Sequence, residues 1–180
     1  MTVFISMLRG INVGGHKTIK MPDLVALYES LGFKHILTYV KSGNVIFDTS
    51  ERDAREIPNL IEEKIARIFK FKVTVLLRKP DELRQIIQDN PFMQEKGIDA
   101  GKLHVTFLSE IPAEPGLKKV SGLMSGPDKF IIVNREVYLY CPNGYGGTKL
   151  SNDFFESKLT VAATTRNWKT VNALLNTAKS

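Results

Sequence analysis

The order of strand and helix patterns in the first 78 residues constrains the fold of this chain more than any other feature. Apolar or alternating runs predict strands at 2–8, 35–41, 45–47 and 72–78, and amphipathic patterns predict helices that open at Met21 and at Asp53. The order is therefore β-α-β-β-α-β. This order is typical of the ferredoxin-like split βαβ arrangement, an antiparallel sheet with both helices on one face.

The remainder of the chain nearly repeats this order. After a linking helix pattern at 80–90, the chain shows strand patterns at 103–108, 130–133 and 137–140 and helix patterns at 114–124, 151–159 and 167–178. The order is β-α-β-β-α-α, in which a helix replaces the last strand, and no repeat is visible residue by residue. We predict an α+β fold of two ferredoxin-like (βαββα-type) halves with antiparallel sheets: a subdomain at 1–79, a connecting helix and linker at 80–102, and a subdomain at 103–180.

Composition places the chain among ordinary globular proteins. Of its 180 residues, 43% are hydrophobic and 24% are charged, which suffices for a core without a disulfide or metal. The lone cysteine, Cys141, excludes an intramolecular disulfide. No apolar segment approaches the roughly 20 residues of a membrane span, and the N-terminal run lacks the pattern of a signal peptide. We expect a cytoplasmic protein that does not engage a membrane.

Positive charge is concentrated where the glycine-rich motifs lie. The net charge is +6, and residues 1–50 and 118–180 carry the excess of Lys and Arg over Asp and Glu, whereas 51–117 carry a small deficit. Such a distribution favours an acidic or phosphorylated partner. The three histidines, His16, His35 and His104, show no metal-ligand spacing, so we predict neither a metal nor another cofactor. No catalytic residue is identified.

Two polar, glycine-bearing segments in the first half are candidate ligand contacts. The first, Leu8-Arg9-Gly10-Ile11-Asn12-Val13-Gly14-Gly15, directly follows the first predicted strand and is followed by Lys17. The second is the turn Lys41-Ser42-Gly43-Asn44. Glycine adopts positive φ at no steric cost, and an arginine beside backbone N–H groups makes an anion site plausible.

A third segment lies near the C-terminus. Gly146-Gly147-Thr148-Lys149 precedes a predicted helix, whose N-terminus favours anions, although the spacing is not that of a P-loop. Farther on, Thr165 or Asn167 is predicted to cap the last helix, which would place Arg166 at its positive end. The alternative is that these glycines only turn the chain.

An RNA-recognition module shares the predicted element order of the first half. That module needs exposed aromatic side chains on its third strand for stacking bases, and Phe47 is the single aromatic residue there. The stacking platform is therefore missing, and this hypothesis is disfavoured.

The motifs together resemble a bacterial family of proteins with a domain of unknown function, marked by the N-terminal octet. The matching signatures are Leu8 to Gly15, Met21-Pro22, Leu31-Gly32-Phe33, Tyr39 with Ser42-Gly43-Asn44-Val45, and Thr165-Arg166-Asn167-Trp168 with Thr170-Val171. The resemblance implies two ferredoxin-like subdomains and implies no reaction.

The leading hypothesis is that the protein binds a phosphate-bearing ligand, a nucleotide or a nucleic-acid fragment, in a cleft between the halves. The candidate ligand-binding residues are Arg9, Asn12, Gly14, Gly15, Lys17, Ser42, Asn44, Lys149, Arg166 and Asn167.

Two alternatives stay open. One is a small transferase or hydrolase acting on a nucleotide-like substrate, with His16, Lys17 or Tyr145 as acid–base groups. The other is a structural or oligomerising module in which the sheets pair between copies. The element order does not decide among them, because ferredoxin-like units carry many unrelated functions.

Overall fold

A computed structural model describes residues 1–50, 53–123 and 126–179. Internal contacts divide the chain into two units, and each is described by itself. Unit 1 comprises Met1–Arg84 together with the residues from Leu174 onward, and unit 2 comprises Gln85–Ala173.

Unit 1 contains one four-stranded antiparallel sheet and the helices packed on it. The elements are β1 (Thr2–Leu8), α1 (Met21–Ser30), β2 (Lys34–Tyr39), β3 (Asn44–Thr49), α2 (Ile57–Phe69) and β4 (Val75–Arg78). The next helix, α3 (Pro80–Gln88), begins in unit 1 and ends in unit 2. The strand order is β2-β3-β1-β4, so β1 lies at the centre between β3 and β4. This is the ferredoxin-like topology that the sequence predicts.

The core of unit 1 is built around aromatic side chains. Phe33 stacks on Phe47 with ring centroids 4.5 Å apart, and Tyr28 meets Phe47 edge-on at 5.3 Å. The Tyr28 hydroxyl is paired with the Ser6 hydroxyl at 2.8 Å, so its polar atom is satisfied within the core. Because Phe47 is fully buried in this cluster, it is unavailable for stacking on a base, which is a further reason to disfavour an RNA-recognition module.

Unit 2 has the same topology. Its elements are β5 (Leu103–Leu108), α4 (Glu114–Val120), β6 (Lys129–Val133), β7 (Glu136–Tyr140), α5 (Asn152–Leu159) and β8 (Ala163–Asn167), and α6 (Trp168–Ala178) follows. The strand order is β6-β7-β5-β8. The prediction of an α+β fold with two antiparallel sheets is confirmed.

The last strand of the second half is present, so its predicted replacement by a helix is wrong. Residues 163–167 pair with β5, and Thr165 lies opposite Thr106 in the antiparallel register. The β-branched threonines favour this extended conformation, and pairing with β5 supplies the partners for their backbone groups. The predicted helix at 114–124 ends at Val120, and its last predicted residue, Met124, lies outside the described residues.

The two units repeat each other in detail that the sequence conceals. Ser6 faces Val45 in unit 1, and Thr106 faces Val137 in unit 2. At the end of the central strand, the Leu8 amide donates to the Gly43 carbonyl at 2.8 Å, and the Leu108 amide donates to the Arg135 carbonyl at 2.8 Å. The chain is therefore a structural duplication in which some equivalent positions keep the same residue, as Leu8 and Leu108 do, and others, such as Ser6 and Thr106, do not.

A carboxylate on the second helix supports the last strand in both units. In unit 1 the Val75 amide donates to Glu62 Oε1 at 2.7 Å. In unit 2 the Ala163 amide donates to Glu156 Oε1 at 3.0 Å. Burial raises the pKa of Glu62, while the hydrogen bond from Val75 acts in the opposite direction.

We predict that Gly43→Ala destabilises unit 1 more than Gly32→Ala. Both glycines have positive φ, 78° and 82°, so both variants carry the cost of an L side chain in that region, about 1–2 kcal/mol. A Cβ at position 43 would also lie 2.8 Å from Leu8 Cβ, whereas nothing lies within 4 Å of one at position 32. Overpacking should add about 1–3 kcal/mol to the loss at position 43, measured by urea unfolding. Equal losses would contradict the close approach of the turn to β1.

We also predict that the stability of the Glu62→Gln variant, relative to that of the unsubstituted chain, increases as the pH rises. The raised pKa means that the folded chain holds the Glu62 proton more tightly than the unfolded chain does. Its contribution to stability is therefore present at low pH and is lost as the pH rises through the usual pKa of Glu towards the folded one. Glutamine keeps the acceptor for the Val75 amide without the charge. Urea unfolding at about pH 4 and about pH 7 measures the difference, with Glu63→Gln, exposed on the same helix, as the control. A benefit that does not grow with pH would contradict the prediction.

Candidate functional site

Three connections of unit 1 meet at one edge of its sheet. Met7, near the end of β1, pairs with Asn44 at the start of β3, and Leu8 pairs with Val75 at the start of β4. The β1–α1 loop (9–20), the β2–β3 turn (40–43) and the α2–β4 connection (70–74) must therefore lie together. We call these three segments the basic edge.

Hydrogen bonds tie the segments of the basic edge to one another. The Arg9 amide donates to the Thr74 carbonyl at 2.9 Å. Asn12 Nδ2 donates to the Lys41 carbonyl at 2.8 Å, and Lys17 Nζ donates to the Lys72 carbonyl at 2.9 Å. The loop is thus anchored to both neighbouring connections.

The charge of the basic edge is entirely positive. Its three segments contain six Lys and Arg side chains and no carboxylate; the six are Arg9, Lys17, Lys20, Lys41, Lys70 and Lys72. The equivalent connections of unit 2, 109–113, 134–135 and 160–162, contain Glu110 and Arg135, which balance. The excess of charge therefore belongs to unit 1 and does not follow from the shared fold.

Asn12 holds the β1–α1 loop closed. Its backbone adopts φ 56°, a conformation that Asn tolerates better than most residues. Its side chain accepts from the Ile19 amide at 2.9 Å and donates to the Ile19 carbonyl at 3.0 Å, in addition to the Lys41 carbonyl. Both amide hydrogens and the side-chain oxygen are engaged within the protein, which favours a structural role for this candidate ligand residue.

Gly14 and Gly15 form the exposed tip of the loop. Val13 and His16 pair across the tip, with the His16 amide 3.1 Å from the Val13 carbonyl. Gly14 has φ 59° and Gly15 has φ 78°, and positive φ at both central positions is the requirement of a type I′ turn. The two glycines therefore allow the chain to turn at the tip of the loop, which is the property of glycine that the sequence pattern suggests.

A groove of about 490 Å³ opens in the basic edge. It is lined by Asn12, Gly15, Thr18, Ile19, Lys20, Met21, Pro22 and Lys41. Its two charged lining residues, Lys20 and Lys41, are both basic and exposed. Lys20 is the N-cap of α1 and makes no side-chain capping hydrogen bond, so a lysine stands at the positive end of this helix.

The Ser42-Gly43-Asn44 turn is mostly internal. Asn44 is fully buried, and its Nδ2 donates to the Tyr39 carbonyl at 3.0 Å and to Ser42 Oγ at 2.9 Å. Asn44 therefore closes the β2–β3 turn from inside, whereas Ser42 is exposed beside Lys41.

The three remaining candidate residues belong to unit 2. Lys149 is exposed and lines a separate groove of that unit. Asn167 ends β8, and its Oδ1 accepts from the Thr170 amide at 2.8 Å, which confirms Asn167 as the cap of the last helix. That the ten candidate residues converge on one cleft stays a prediction.

Arg166 is a buried residue of β8. Its Nη1 donates to Thr164 Oγ1 at 2.8 Å and to the Thr165 carbonyl at 2.9 Å, and burial lowers its pKa to about 10 against the attraction of Tyr145. Arg166 lies opposite Val105 in the sheet, and the equivalent position in unit 1, opposite Ile5, holds Arg78, which is also buried. The repetition favours a role for these arginines in the shared framework.

The residues proposed for acid–base chemistry do not share a unit. His16 and Lys17 lie in the basic edge of unit 1, whereas Tyr145 lies in unit 2, where its ring stacks on His104 at 4.9 Å. The Tyr145 hydroxyl donates to Thr165 Oγ1 at 3.1 Å, and Thr165 Oγ1 donates to Asn152 Oδ1 at 2.7 Å. Tyr145 thus belongs to a hydrogen-bond network within unit 2.

Two classes of site find no support in residues 1–50, 53–123 and 126–179. No group of three or more His, Cys, Asp or Glu side chains there is arranged to hold a metal ion. Within the same residues, no helix has both the length and the apolar character to cross a membrane.

Lys20, Lys41 and Lys72 are absent from the set of residues predicted from the sequence. They lie in three different segments, and only the pairing of β1 with β3 and β4 brings these segments together. The usable signal is the absence of Asp and Glu from three connections that a ferredoxin-like topology places at one edge.

We predict that Asn12→Asp destabilises unit 1 by about 2 kcal/mol, because a carboxylate cannot donate to the Ile19 and Lys41 carbonyls. Aspartate tolerates the same backbone conformation, and its charge is favoured near the lysines, so the loss reports the missing hydrogen bonds. Urea unfolding measures the change. The control is Asn134→Asp, an exposed turn position in unit 2 with φ 53°, where the change should be small. Similar values for the two variants would show that Asn12 does not hold the loop.

Comparisons with known proteins agree with this architecture. The structure of conserved bacterial protein SP0830 from Streptococcus pneumoniae superposes with a TM-score of 0.79 at 20% sequence identity, over 100% of this chain and 99% of that chain. This similarity establishes the fold alone. The search of curated proteins returned no match. A family model described as Protein of unknown function (DUF1697) matches residues 1–138, which include the whole basic edge and end before Lys149 and Arg166. The chain therefore belongs to the DUF1697 family.

Proposed function

We propose that unit 1 binds a phosphate-bearing ligand of nucleotide size at the basic edge, with its phosphate groups beside Lys20 and Lys41. The observation that carries this proposal is that the charged residues lining the groove, Lys20 and Lys41, are both lysines, on an edge whose three segments contain no Asp or Glu. Lysine ammonium groups bind phosphate as point charges, and the absence of competing carboxylates leaves an anion as their natural partner.

The size and lining of the groove suit a ligand with an apolar part as well as a charged part. Its volume of about 490 Å³ falls within the range of small-molecule pockets. Met21 and Pro22 supply apolar surface next to Lys20, at the N-terminus of α1. The helix dipole adds a modest attraction for an anion at this end.

The length of the loop supports a role beyond connecting two elements. Twelve residues, 9–20, join β1 to α1, whereas five residues, 109–113, join the equivalent elements of unit 2. The longer connection is fastened by Asn12 and Lys17 and is thus held in place before any ligand arrives. Preorganisation of this kind lowers the entropic cost of binding.

We predict that ADP binds saturably, and that Lys20→Gln and Lys41→Gln each weaken its binding about fivefold. Solvent screening reduces each charged contact to about 1 kcal/mol, which corresponds to that factor. Isothermal titration calorimetry with ADP, AMP and inorganic pyrophosphate measures the change. The matched control is Lys34→Gln, an exposed lysine at the start of β2, outside the basic edge.

The outcomes separate three cases. Equal weakening by Lys34→Gln, or no saturation with any of the three compounds, would overturn the proposal. A small ligand held in the groove should lose little affinity between about 50 mM and about 200 mM salt, because it makes few phosphate contacts. Binding only to a single-stranded oligonucleotide, with a steep loss over that range, would identify the basic edge as a nucleic-acid surface instead.

A further inference from the structure

Unit 2 contains a groove of its own, with different chemistry. Its volume is about 680 Å³, and it is lined by residues that follow β7, by one side of α5 and by residues at the start of β6. Its lining includes Asp128, Phe130, Thr148, Lys149, Phe154 and Lys158; we call this cavity the aromatic groove.

One wall of the aromatic groove consists of two partly buried phenylalanines. Phe130 packs edge-on against the buried Phe155 with centroids 5.5 Å apart, and Phe154 packs against the same ring at 5.1 Å. Both rings are thereby fixed to the core of unit 2, and both line the groove. Fixed aromatic surfaces favour a flat aromatic body, which can stack against them or meet them edge-on.

The charged part of the lining is arranged around this wall. Lys149 is exposed, Lys158 is half-buried on α5, and both line the groove. The carboxylate among the described lining residues, Asp128, accepts from the Thr148 hydroxyl at 2.5 Å, and Thr148 Oγ1 in turn accepts from the Leu150 amide at 3.1 Å. Asp128 is thus engaged in holding the loop, and because two lysines line the groove beside it, the charged side chains among the described lining residues sum to +1.

The first turn of α5 is already capped. Ser151 Oγ accepts from the Phe154 amide at 3.2 Å. The features of the groove that suit a ligand are therefore the cavity, the aromatic wall and the two lysines.

We propose that the aromatic groove binds an aromatic organic anion, an aryl carboxylate or aryl phosphate, with its ring against Phe130 and Phe154 and its charge beside Lys149 and Lys158. A neutral aromatic compound leaves the lysines unpaired, and an inorganic anion leaves the rings uncovered. A ligand that carries both parts satisfies both kinds of surface.

The duplication shows that the aromatic wall is not required by the fold. Glu62 and Glu156 are equivalent, so the position of Phe154, two residues before Glu156, corresponds to Leu60 on α2. Unit 1 thus has an aliphatic side chain at this position. The site also differs from the basic edge, which is on the other unit, so either proposal can fail without the other.

The test uses the full chain with 2-naphthoate, 2-naphthyl phosphate and the uncharged 2-naphthylmethanol as probes. Amide chemical shifts of Gly144 and Gly147, which line the groove, locate binding, and those of Gly14 and Gly15 report on the other unit. We expect saturable shifts at Gly144 and Gly147 with at least one anion, and binding of the alcohol about tenfold weaker. The tighter of the two anions identifies the charged group of the ligand.

Variants then assign the contacts. Lys149→Gln and Lys158→Gln should each weaken anion binding about fivefold, and Lys118→Gln should not. Lys118 is an exposed lysine of the same unit, paired with Glu114 at 2.9 Å. Phe154→Leu should weaken the naphthyl anions and leave octanoate unaffected, and thermal melting verifies that each variant folds.

Four results would overturn the proposal: no saturable binding of either anion, binding of the alcohol as tight as that of the anions, equal weakening by Lys118→Gln, or shifts confined to Gly14 and Gly15. Octanoate binding as tightly as 2-naphthoate would overturn the aromatic assignment.

Discussion

The antiparallel pairing of β1 with two neighbours is the constraint on which the candidate site depends. Because β3 and β4 both start where β1 ends, three connections distant in sequence share one edge of the sheet. The Leu8 amide reaches the Gly43 carbonyl at 2.8 Å, and this contact requires a turn without a side chain at position 43. The same pairing that buries Leu8 therefore places Lys41 beside Lys20.

Comparison of the two units distinguishes features that the shared fold requires from features that only one unit has. Both units retain the hydrogen bond at the end of the central strand, the glutamate that supports the last strand and an arginine buried on that strand. They differ in the basic edge of unit 1 and in the aromatic wall of unit 2. Features that differ between equivalent positions are not demanded by the shared framework, which is why both proposals rest on them.

The sequence predicts the architecture well because each unit follows local patterns. Period-two strands and apolar helix faces report the element order directly. The strand β8 is missed because its segment Ala163-Thr164-Thr165-Arg166-Asn167 has no alternating polarity; its pairing with β5 is a long-range contact. The same limit applies to the site. Gly14, Gly15 and Asn12 are found as a motif, whereas Lys20 and Lys41 acquire meaning only from strand order, and nothing in the local pattern distinguishes the buried Arg166 from an exposed one.

The backbone of the β1–α1 loop is more strained than that of the equivalent connection in unit 2. Asn12 and Lys17 of this loop adopt φ values of 56° and 47°, in the left-handed region that few residues other than glycine adopt. Each such residue costs about 1–2 kcal/mol relative to an ordinary conformation. The β5–α4 connection makes the equivalent join with five residues, and none of them has positive φ. The β1–α1 loop therefore opposes folding in two ways, through its strained backbone and through the repulsion between its positive charges. An anionic ligand would offset that repulsion.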